Sequence, residues 1–341
     1  MTRAARRSVA TLARVVDGFE GVAARAKDVY DALRRTGYAV VDDAVDAEVA
    51  RALVGEMRAL ADARAFRENR TVFARSDGAR CELVKPGIFE LETHAMTAAH
   101  ATLAPRFSRM TGRGTPMRDA LNETLTTRRL DGNPLTRASV KLQINDGRGG
   151  CFPLHFDGDQ SLDSRVVTML CYLNEDWRTE DGGELVYYPF PRRRVVVEPT
   201  FGRVVFFDAR FGLHRVLPSK RERLCFTVWH FTESARPPHA PAPPGDDARS
   251  QMRALLHPGL RKHLAKLVLA DEWATSIEES HDANSEVCAA ALKTHWDEVG
   301  LISRVLSKHY PLGLERLAET MARDDGDQDV FADALDWFPE D

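Results

Sequence analysis

The feature of this 341-residue chain that most restricts its fold is a series of short strand-like segments, without helical patterns between them, from residue 136 to residue 231. In the first segment, apolar residues alternate with polar ones, as in a half-buried strand: Ala138, Val140, Leu142 and Ile144. The later segments are Val166–Leu173, Glu184–Tyr188, Val195–Val197, Val204–Phe207 and Arg223–Phe231. Because short turns can join only antiparallel strands, this pattern predicts an antiparallel sandwich or barrel.

The segments on either side of these strands have mainly helical patterns, with one further strand before them. Before them, Tyr38–Val41 predicts a strand, and the spacing from Val49 to Leu60 predicts a helix that Asp46 could cap. The pattern between residues 61 and 134 is mixed, with a helix predicted only around Thr115–Thr126. After the strands, helical spacing returns around Leu260–Val268 and Val299–Leu306, which predicts a small helical bundle.

These changes in pattern predict four parts of the chain. Residues 1–36 form an N-terminal helical segment, and residues 37–234 form the main domain, with its strands in residues 135–233. Residues 235–246 contain five prolines and form a stiff linker, and residues 247–341 form a helical C-terminal region. A proline-rich linker is typical of a boundary that few contacts cross.

Composition excludes some classes of partner. The formal net charge is −4 and the pI is about 6.3, whereas nucleic-acid-binding domains concentrate lysine and arginine. The longest apolar run, Val166–Leu173, is far shorter than the roughly 18 residues of a membrane-spanning helix. We therefore expect neither a nucleic-acid nor a membrane partner, and the sequence does not indicate an oligomeric state.

The cysteines and the N-terminal segment indicate the cellular compartment in which the protein is expected. The five cysteines are scattered and never form a C-x-x-C pair, so they predict neither a disulfide framework nor a zinc site. A reducing compartment, cytoplasmic or nuclear, is therefore expected. The segment Met1–Val16 carries four arginines and no acidic residue, which leaves an organellar transit peptide as the alternative.

Three residues in the strand region are candidate metal ligands. His155 and Asp157 are two residues apart after a glycine-rich turn, and strand geometry would point both side chains into one cavity. His214 comes just before the last predicted strand. Two imidazoles and one carboxylate on one face of an octahedral ion are the facial triad of non-haem Fe(II) oxygenases.

Two other groups compete with this triad. The helical tail contains His295-Trp296-Asp297, but residues two apart on a helix point about 200° from one another, so this pair cannot hold one ion. Asp159 has the same strand parity as Asp157 and is the less favoured alternative ligand, because Gly158 would break the strand before it.

Arg223 is the candidate for binding an oxoacid. It opens an apolar strand, where an unpaired charge would be costly, and its planar guanidinium suits a carboxylate. Strand alternation places Thr227 on the same face and Tyr172 on the matching face of another strand. Both hydroxyls could contact the same carboxylate, although ordinary core packing is an equal alternative for Thr227.

Several ordered motifs resemble one family. They are Leu154–Asp157, Thr168–Trp177, Gly182–Leu185, Val197–Phe207 and His214–Phe231. Together they resemble the prolyl-4-hydroxylase-like 2-oxoglutarate oxygenases, and they are most similar to the oxygen-sensing prolyl hydroxylases. The resemblance covers residues 135–233 and, more weakly, Gly37–Leu60.

This resemblance implies a mainly β, double-stranded β-helix (jelly-roll) core flanked by the N-terminal helices and the C-terminal helical bundle. His155, Asp157 and His214 would bind iron, and Arg223 and Tyr172 would bind the C5 carboxylate of 2-oxoglutarate. Thr227 would assist, and Leu185 and Trp229 would line the pocket. Asn145 stands where close relatives place a cosubstrate tyrosine, and Phe152 stands where a second tyrosine is usual.

The resemblance further implies a dioxygenase that uses Fe(II), 2-oxoglutarate and O₂, with ascorbate as reductant, and releases succinate and CO₂. Its expected substrate is a peptidyl proline of a protein, as for procollagen-proline or peptidyl-proline 4-dioxygenases. The alternatives are a small-molecule or lysyl hydroxylase on the same core, or a non-catalytic jelly-roll module that binds a partner.

Overall fold

The computed structural model describes residues 18–74, 80–110, 135–158, 163–234, 243–281, 285–323, 331, 335, 337 and 338. The candidate transit segment Met1–Val16, the helix expected around Thr115–Thr126 and the alternative ligand Asp159 lie outside these residues.

The described strands form two antiparallel sheets. They are β1 (Tyr38–Val41), β2 (Arg67–Ala74), β3 (Arg80–Glu92), β4 (Arg137–Asp146), β5 (Phe152–His155), β6 (Arg165–Tyr172), β7 (Leu185–Tyr188), β8 (Val195–Val197), β9 (Val204–Asp208), β10 (Leu213–Val216) and β11 (Glu222–Phe231). The major sheet has the order β1-β9-β6-β11-β4-β3-β2, and the minor sheet has the order β5-β10-β7-β8. The two sheets face each other, and the predicted jelly-roll core is confirmed.

Alternation and apolar content predicted most of these strands within one or two residues. The exceptions are the two short histidine-bearing strands, β5 and β10, and the pair β2 and β3, which forms a long hairpin at the edge of the major sheet. The segment that contains β2 and β3 has no clear period of two, and the register of their pairing shifts between Glu68 and Arg70. The mixed pattern between residues 61 and 134 therefore predicted no strand there.

The described α-helices lie outside the two sheets. They are α1 (Glu20–Ala24), α2 (Ala26–Thr36), α3 (Ala47–Asp62), α4 (Ala98–Leu103), α5 (Pro105–Arg109), α6 (Ala248–Leu256), α7 (Pro258–Val268), α8 (Ala270–Ser280), α9 (Glu286–His309) and α10 (Pro311–Ala322). Asp46 caps α3 as expected, because its carboxylate accepts hydrogen bonds from the backbone N–H groups of Glu48 and Val49.

The N-terminal helices cover the outer face of the major sheet. Leu33 of α2 and Leu53 and Met57 of α3 are fully buried in one cluster with Leu142 and Phe226 of the sheet. A strand that is covered on both faces has no solvent side. This is why β6 is buried at seven of its eight positions and reads as a continuous apolar run rather than an alternating one.

The C-terminal helices cover the outer face of the minor sheet. Leu255 of α6 and Leu264 of α7 share a buried cluster with Leu154, Val186 and Leu213 of the sheet. The expectation of few contacts across the proline-rich segment is therefore wrong. The physical reason is that the outer face of the minor sheet is apolar and must be shielded from water. The expected division into four parts stays a prediction about the chain's organisation.

No described helix combines the length and the apolar content that crossing a lipid bilayer would require.

Candidate active site

The minor sheet brings the two predicted imidazole ligands together. Strands β5 and β10 are antiparallel neighbours, and their register places His214 opposite His155. The two ring centroids are 4.2 Å apart. The register shifts beside this pair, so that Phe152 and His155, three residues apart, both lie at the cavity.

Asp157 reaches the same point from the turn that follows β5, not from the strand itself as the sequence analysis assumed. Its Oδ1 atom lies 3.7 Å from Nε2 of His155 and 3.9 Å from Nε2 of His214. The candidate ligand atoms of the three residues all lie within 4.8 Å of one another. Among the residues that the structure describes, this is the one such group that could hold a metal ion.

Backbone carbonyls fix the orientation of both imidazoles. Nδ1 of His155 lies 2.8 Å from the carbonyl oxygen of Pro153, and Nδ1 of His214 lies 2.9 Å from that of Gly212. A carbonyl can only accept a hydrogen bond, so Nδ1 carries the proton in each ring. Each Nε2 atom therefore presents a lone pair towards the shared point, which is the arrangement a metal ligand needs.

Two side chains of the major sheet orient Asp157. Thr168 donates a hydrogen bond to Oδ2 over 2.6 Å, and the indole N–H of Trp229 donates to the same oxygen over 3.2 Å. Thr168 and Trp229 are direct cross-strand partners on β6 and β11. Because Oδ2 is occupied in this way, Oδ1 is left to face the two imidazoles.

The ionisation of these groups suits a divalent cation. Burial, with His214 nearby, lowers the pKa of His155 to about 3. Burial opposes the ionisation of Asp157, but the neighbouring histidines and the hydrogen bond from Thr168 outweigh it and lower its pKa to about 2. At neutral pH the site thus offers neutral imidazole and an ionised carboxylate, the donor set that Fe(II) accepts.

The competing histidine and aspartate in the tail are far less suited to a metal. His295 is 2% exposed on α9, and its Nε2 lies 2.9 Å from the carbonyl oxygen of Ala270. Asp297 is exposed and forms an ion pair with Lys293 over 2.6 Å. Both residues have structural partners, and the helix separates them as expected.

Arg223 lines the same cavity and has hydrogen-bond donors that no described residue accepts from. It is 3% exposed, and its Nη1 atom lies 3.2 Å from Sγ of Cys225. Its Nε and Nη2 atoms are buried without a hydrogen-bond partner among the described residues, and so is the hydroxyl of Tyr172. The guanidinium lies 5.1 Å from the centre of the Tyr172 ring. These unused donors, grouped around one charge, fit a carboxylate of a bound oxoacid.

Gly183 makes room for Arg223. A Cβ atom at this position would lie 2.8 Å from Cδ of Arg223, and the backbone has a φ of +81°, which favours glycine. The Gly182-Gly183 turn, which directly precedes Glu184 and β7, therefore shapes the arginine's pocket.

The other predicted pocket residues divide into two groups. Thr227, Leu185 and Trp229 line the cavity with the three candidate ligands and Arg223. Asn145 does not: its amide donates to the carbonyl oxygen of Gly150 over 2.6 Å and accepts from the backbone N–H of Gly147 over 3.1 Å. Both polar atoms of this side chain hold the turn before β5, in place of the cosubstrate contact that the resemblance implied.

Two residues line the cavity that the sequence did not predict to be there, because the polar face of their strand was expected to face solvent. Lys141 and Gln143 of β4 line the cavity, although alternation indicated only that they were on the polar face of a half-buried strand. That polar face is directed to the candidate site. In the structure β4 pairs with β11, and Asn145 lies directly opposite Arg223. This pairing, which the sequence does not reveal, puts the polar face of β4 on the same side of the sheet as Arg223.

Comparison with known proteins agrees with this geometry. Residues 140–231 match the model of the 2OG-Fe(II) oxygenase superfamily. Egl nine homolog 1 of Homo sapiens is 28% identical over 207 residues, which is 60% of this chain and 46% of that protein. Egl nine homolog 1 of Rattus norvegicus is 28% identical over 216 residues. The chain spans about half the length of the curated relatives it matches.

Solved structures extend the likeness beyond the sheets. A structure from work on prolyl 4-hydroxylases of Phytophthora capsici is 29% identical, with a TM-score of 0.67, and covers 94% of this chain and 96% of that one. This coverage includes most of the helical C-terminal region. A prolyl hydroxylase of Trichoplax adhaerens, in complex with a hypoxia inducible factor peptide fragment, has a TM-score of 0.50 at 20% identity and shares the fold.

Proposed function

Residues 140–231 form a 2OG-Fe(II) oxygenase domain, homologous to the Egl nine prolyl hydroxylases, and from this premise we propose that the protein is an Fe(II)- and 2-oxoglutarate-dependent dioxygenase. We propose that it hydroxylates a peptidyl proline of a protein substrate. The balanced reaction consumes 2-oxoglutarate and O₂, places one oxygen atom in a C–H bond, and releases succinate and CO₂.

One observation carries this proposal: a buried arginine with unused donors shares a cavity with a His-Asp-His group. A metal site alone would fit many metalloproteins. A buried guanidinium that has no carboxylate partner among the described residues is suited to binding an anionic ligand. The two features together fit a metal and a dicarboxylate cosubstrate.

In the proposed enzyme, His155, Asp157 and His214 hold Fe(II), and Arg223 with the Tyr172 hydroxyl holds the C5 carboxylate of 2-oxoglutarate. Bound iron supplies the oxidising chemistry that couples decarboxylation of 2-oxoglutarate to hydroxylation. Burial raises the pKa of Tyr172, so its hydroxyl stays protonated and can donate a hydrogen bond.

The remaining cavity residues orient the ligands and exclude water. Thr168 and Trp229 hold one oxygen of Asp157 and so keep the other directed at the metal. Leu170, Leu185 and Val216 supply apolar walls to the cavity that the candidate ligands share with Arg223. An apolar wall excludes water, so fewer water dipoles screen the attraction between the Arg223 guanidinium and the carboxylate of bound 2-oxoglutarate.

The peptidyl-proline part of the proposal has its support in the homologues, which are prolyl hydroxylases. Ascorbate, as the reductant that returns oxidised iron to Fe(II), is proposed from the family resemblance of the sequence alone. Leaving ascorbate out of multiple-turnover assays should shorten the period of linear succinate release without changing the initial rate.

The test begins with succinate release from 2-oxoglutarate, measured with Fe(II) and O₂ but without added substrate. We expect iron-dependent release that Asp157→Ala abolishes and the exposed tail variant Asp297→Ala retains. His155→Ala and His214→Ala should behave as Asp157→Ala does. Normal turnover by Asp157→Ala would refute the ligand assignment, and no succinate from the wild type would refute the dioxygenase itself.

The substrate is tested by mass spectrometry of proteins from cells with and without this enzyme. We expect proline-containing peptides that gain the mass of one oxygen atom only when the enzyme is present. Gains on lysine in place of proline would move the assignment to a lysyl hydroxylase. If no protein changes, the peptidyl substrate is refuted and a small molecule takes its place.

A further inference from the structure

A second buried cation lies beside the metal site and has no anionic partner. Lys85 of β3 is 7% exposed, although lysine is rarely buried unless it is paired. Its Nζ atom lies 4.0 Å from the centre of the Phe152 ring. No carboxylate of the described part of the chain lies within ion-pair distance of it, so this cation–π contact is the interaction that the structure gives it.

The carboxylates near Lys85 are already in use. Glu90, on the same strand, pairs with Lys141 over 3.1 Å and with Arg67 over 3.4 Å, and it also accepts a hydrogen bond from Asn69. Glu279 of α8 pairs with the buried Arg215. Both acids are paired with other cations, and the attraction of Glu90 for the Lys85 ammonium is smaller than the effects of burial and of Lys141, which lower the pKa of Lys85.

The position of Lys85 connects it to the cavity. Phe152, whose ring it covers, lines the cavity, and this ring lies 6.2 Å from the ring of His155. Lys85 and Arg223 both belong to the major sheet, on β3 and β11, but Lys85 packs against Phe152 of β5 in the minor sheet. Arg223 lines the cavity itself and is assigned to the cosubstrate carboxylate, whereas Lys85 contacts the cavity wall through the Phe152 ring and has no ligand assigned to it.

The charge around the cavity is positive although the chain is acidic. The formal net charge of the chain is −4, yet the charged residues that line the cavity are Lys141, Arg223 and the single carboxylate Asp157. Burial and the neighbouring Lys141 lower the pKa of Lys85 to about 8, which leaves most of it protonated at neutral pH. An unpaired ammonium in such a place attracts an anion from solution.

We propose that Lys85 is a substrate-specificity residue that binds a carboxylate of the molecule being hydroxylated. This inference rests on the proposed function for the reaction at the metal and adds the chemical class of substrate: one with an acidic group close to the hydroxylated carbon. The carboxylate has two possible sources, an acidic side chain next to a peptidyl proline or the α-carboxylate of a free imino acid.

Binding can be measured without turnover, by calorimetry on protein loaded with Fe(II) and 2-oxoglutarate under nitrogen. The first probe is a pair of synthetic proline peptides that differ only in glutamate or glutamine on either side of the proline. The second probe is free L-proline and L-prolinamide, which differ in the carboxylate. The proteins are wild type, Lys85→Met, Lys85→Arg and the control Lys293→Met, which removes an exposed lysine of α9.

We expect wild type and Lys293→Met to bind the acidic member of one pair about tenfold tighter than its neutral partner. Lys85→Met should lose this preference because methionine keeps the packing on Phe152 without the charge, and Lys85→Arg should keep a part of it. A preference within the peptide pair identifies a side-chain carboxylate, and a preference within the second pair identifies a small acid.

Equal binding within both pairs by the wild type overturns the inference, and so does a preference that survives in Lys85→Met. Circular dichroism of Lys85→Met guards against a folding defect, and retention of the preference by Lys85→Arg shows that charge is the determinant. Succinate release by the wild type, measured separately, reports on the dioxygenase assignment, so failure of that assignment and failure of this one are distinguishable.

Discussion

Replacing Arg223 by alanine separates binding of the cosubstrate from binding of the metal. Arg223 is 3% exposed and has two unused donor atoms, and the other cation of the cavity wall, Lys141, is paired with Glu90. Truncating one partner of a buried, hydrogen-bonded charge pair costs about 2–5 kcal/mol. At about 1.4 kcal/mol for each factor of ten, 2-oxoglutarate should bind roughly 30- to 4,000-fold more weakly.

Metal binding should be retained because the three candidate ligands lie on β5, on β10 and in the turn after β5. The apo variant should be no less stable than the wild type, since the substitution removes a buried charge that no carboxylate neutralises. Lysine at position 223 should recover only a part of the affinity, because an ammonium restores the charge and not the planar fork.

The assay is a titration of 2-oxoglutarate into Fe(II)-loaded protein without O₂, followed by the metal-to-ligand absorption band. Arg221→Ala is the matched control: it stands two residues away, is half exposed and pairs with Asp181. Equal affinities in wild type, Arg223→Ala and Arg223→Lys would refute the argument and show that the oxoacid, if used, is held elsewhere.

Three further predictions follow from other contacts. Thr168→Val removes the 2.6 Å hydrogen bond to Asp157, so the affinity for Fe(II) should fall about 10- to 100-fold. Competition with a chelator measures this affinity, and an unchanged value would show that Thr168 does not orient the carboxylate. A chain ending at residue 234 exposes the apolar outer face of the minor sheet and should lose cooperative urea unfolding, whereas a folded, soluble product would contradict the shared cluster. The pKa of Lys85 is lowered from 10.5 to about 8, so the unfolded chain holds this proton more tightly and wild-type stability should rise as pH increases from 8 to 10.5. Lys85→Met should accordingly be more stable than wild type at pH 7, by about 2–4 kcal/mol, with the difference lost near pH 10.5; a variant that is less stable at pH 7 would show that Lys85 has a stabilising partner.

The residues with strong local constraints were predictable from the sequence. A charge that opens an apolar strand, as Arg223 does, needs an anion wherever the strand lies. The alternation in β11 also placed Thr227 and Trp229 on the face of Arg223, and the structure has all three residues in the cavity wall. These inferences need only the period of a strand and the cost of burying a charge.

Residues whose environment is made by distant parts of the chain were not predictable. Lys85 is buried because β3, β5 and the end of α8 meet there, and nothing in its own segment marks it. The sequence also suggested Asn145 as a pocket residue. Its side chain instead bonds to Gly147 and Gly150, and these contacts depend on a turn conformation that the sequence does not specify. The helical spacing of the tail showed that its helices have an apolar face, but not that a sheet would cover it.

The contact between the C-terminal helices and the minor sheet also has a consequence for how the protein is made. Helix α8 holds β5 directly, since the Ser276 hydroxyl accepts the hydrogen bond of the Leu154 backbone N–H over 3.0 Å and Lys262 of α7 binds the carbonyl oxygen of Gly158. A ribosome delivers the histidine strands well before these helices. Until α7 and α8 emerge, the nascent chain exposes the apolar side of its histidine-bearing sheet, which is the kind of surface that chaperones bind. The histidine-bearing sheet is therefore covered only after the helices that follow it have been synthesised.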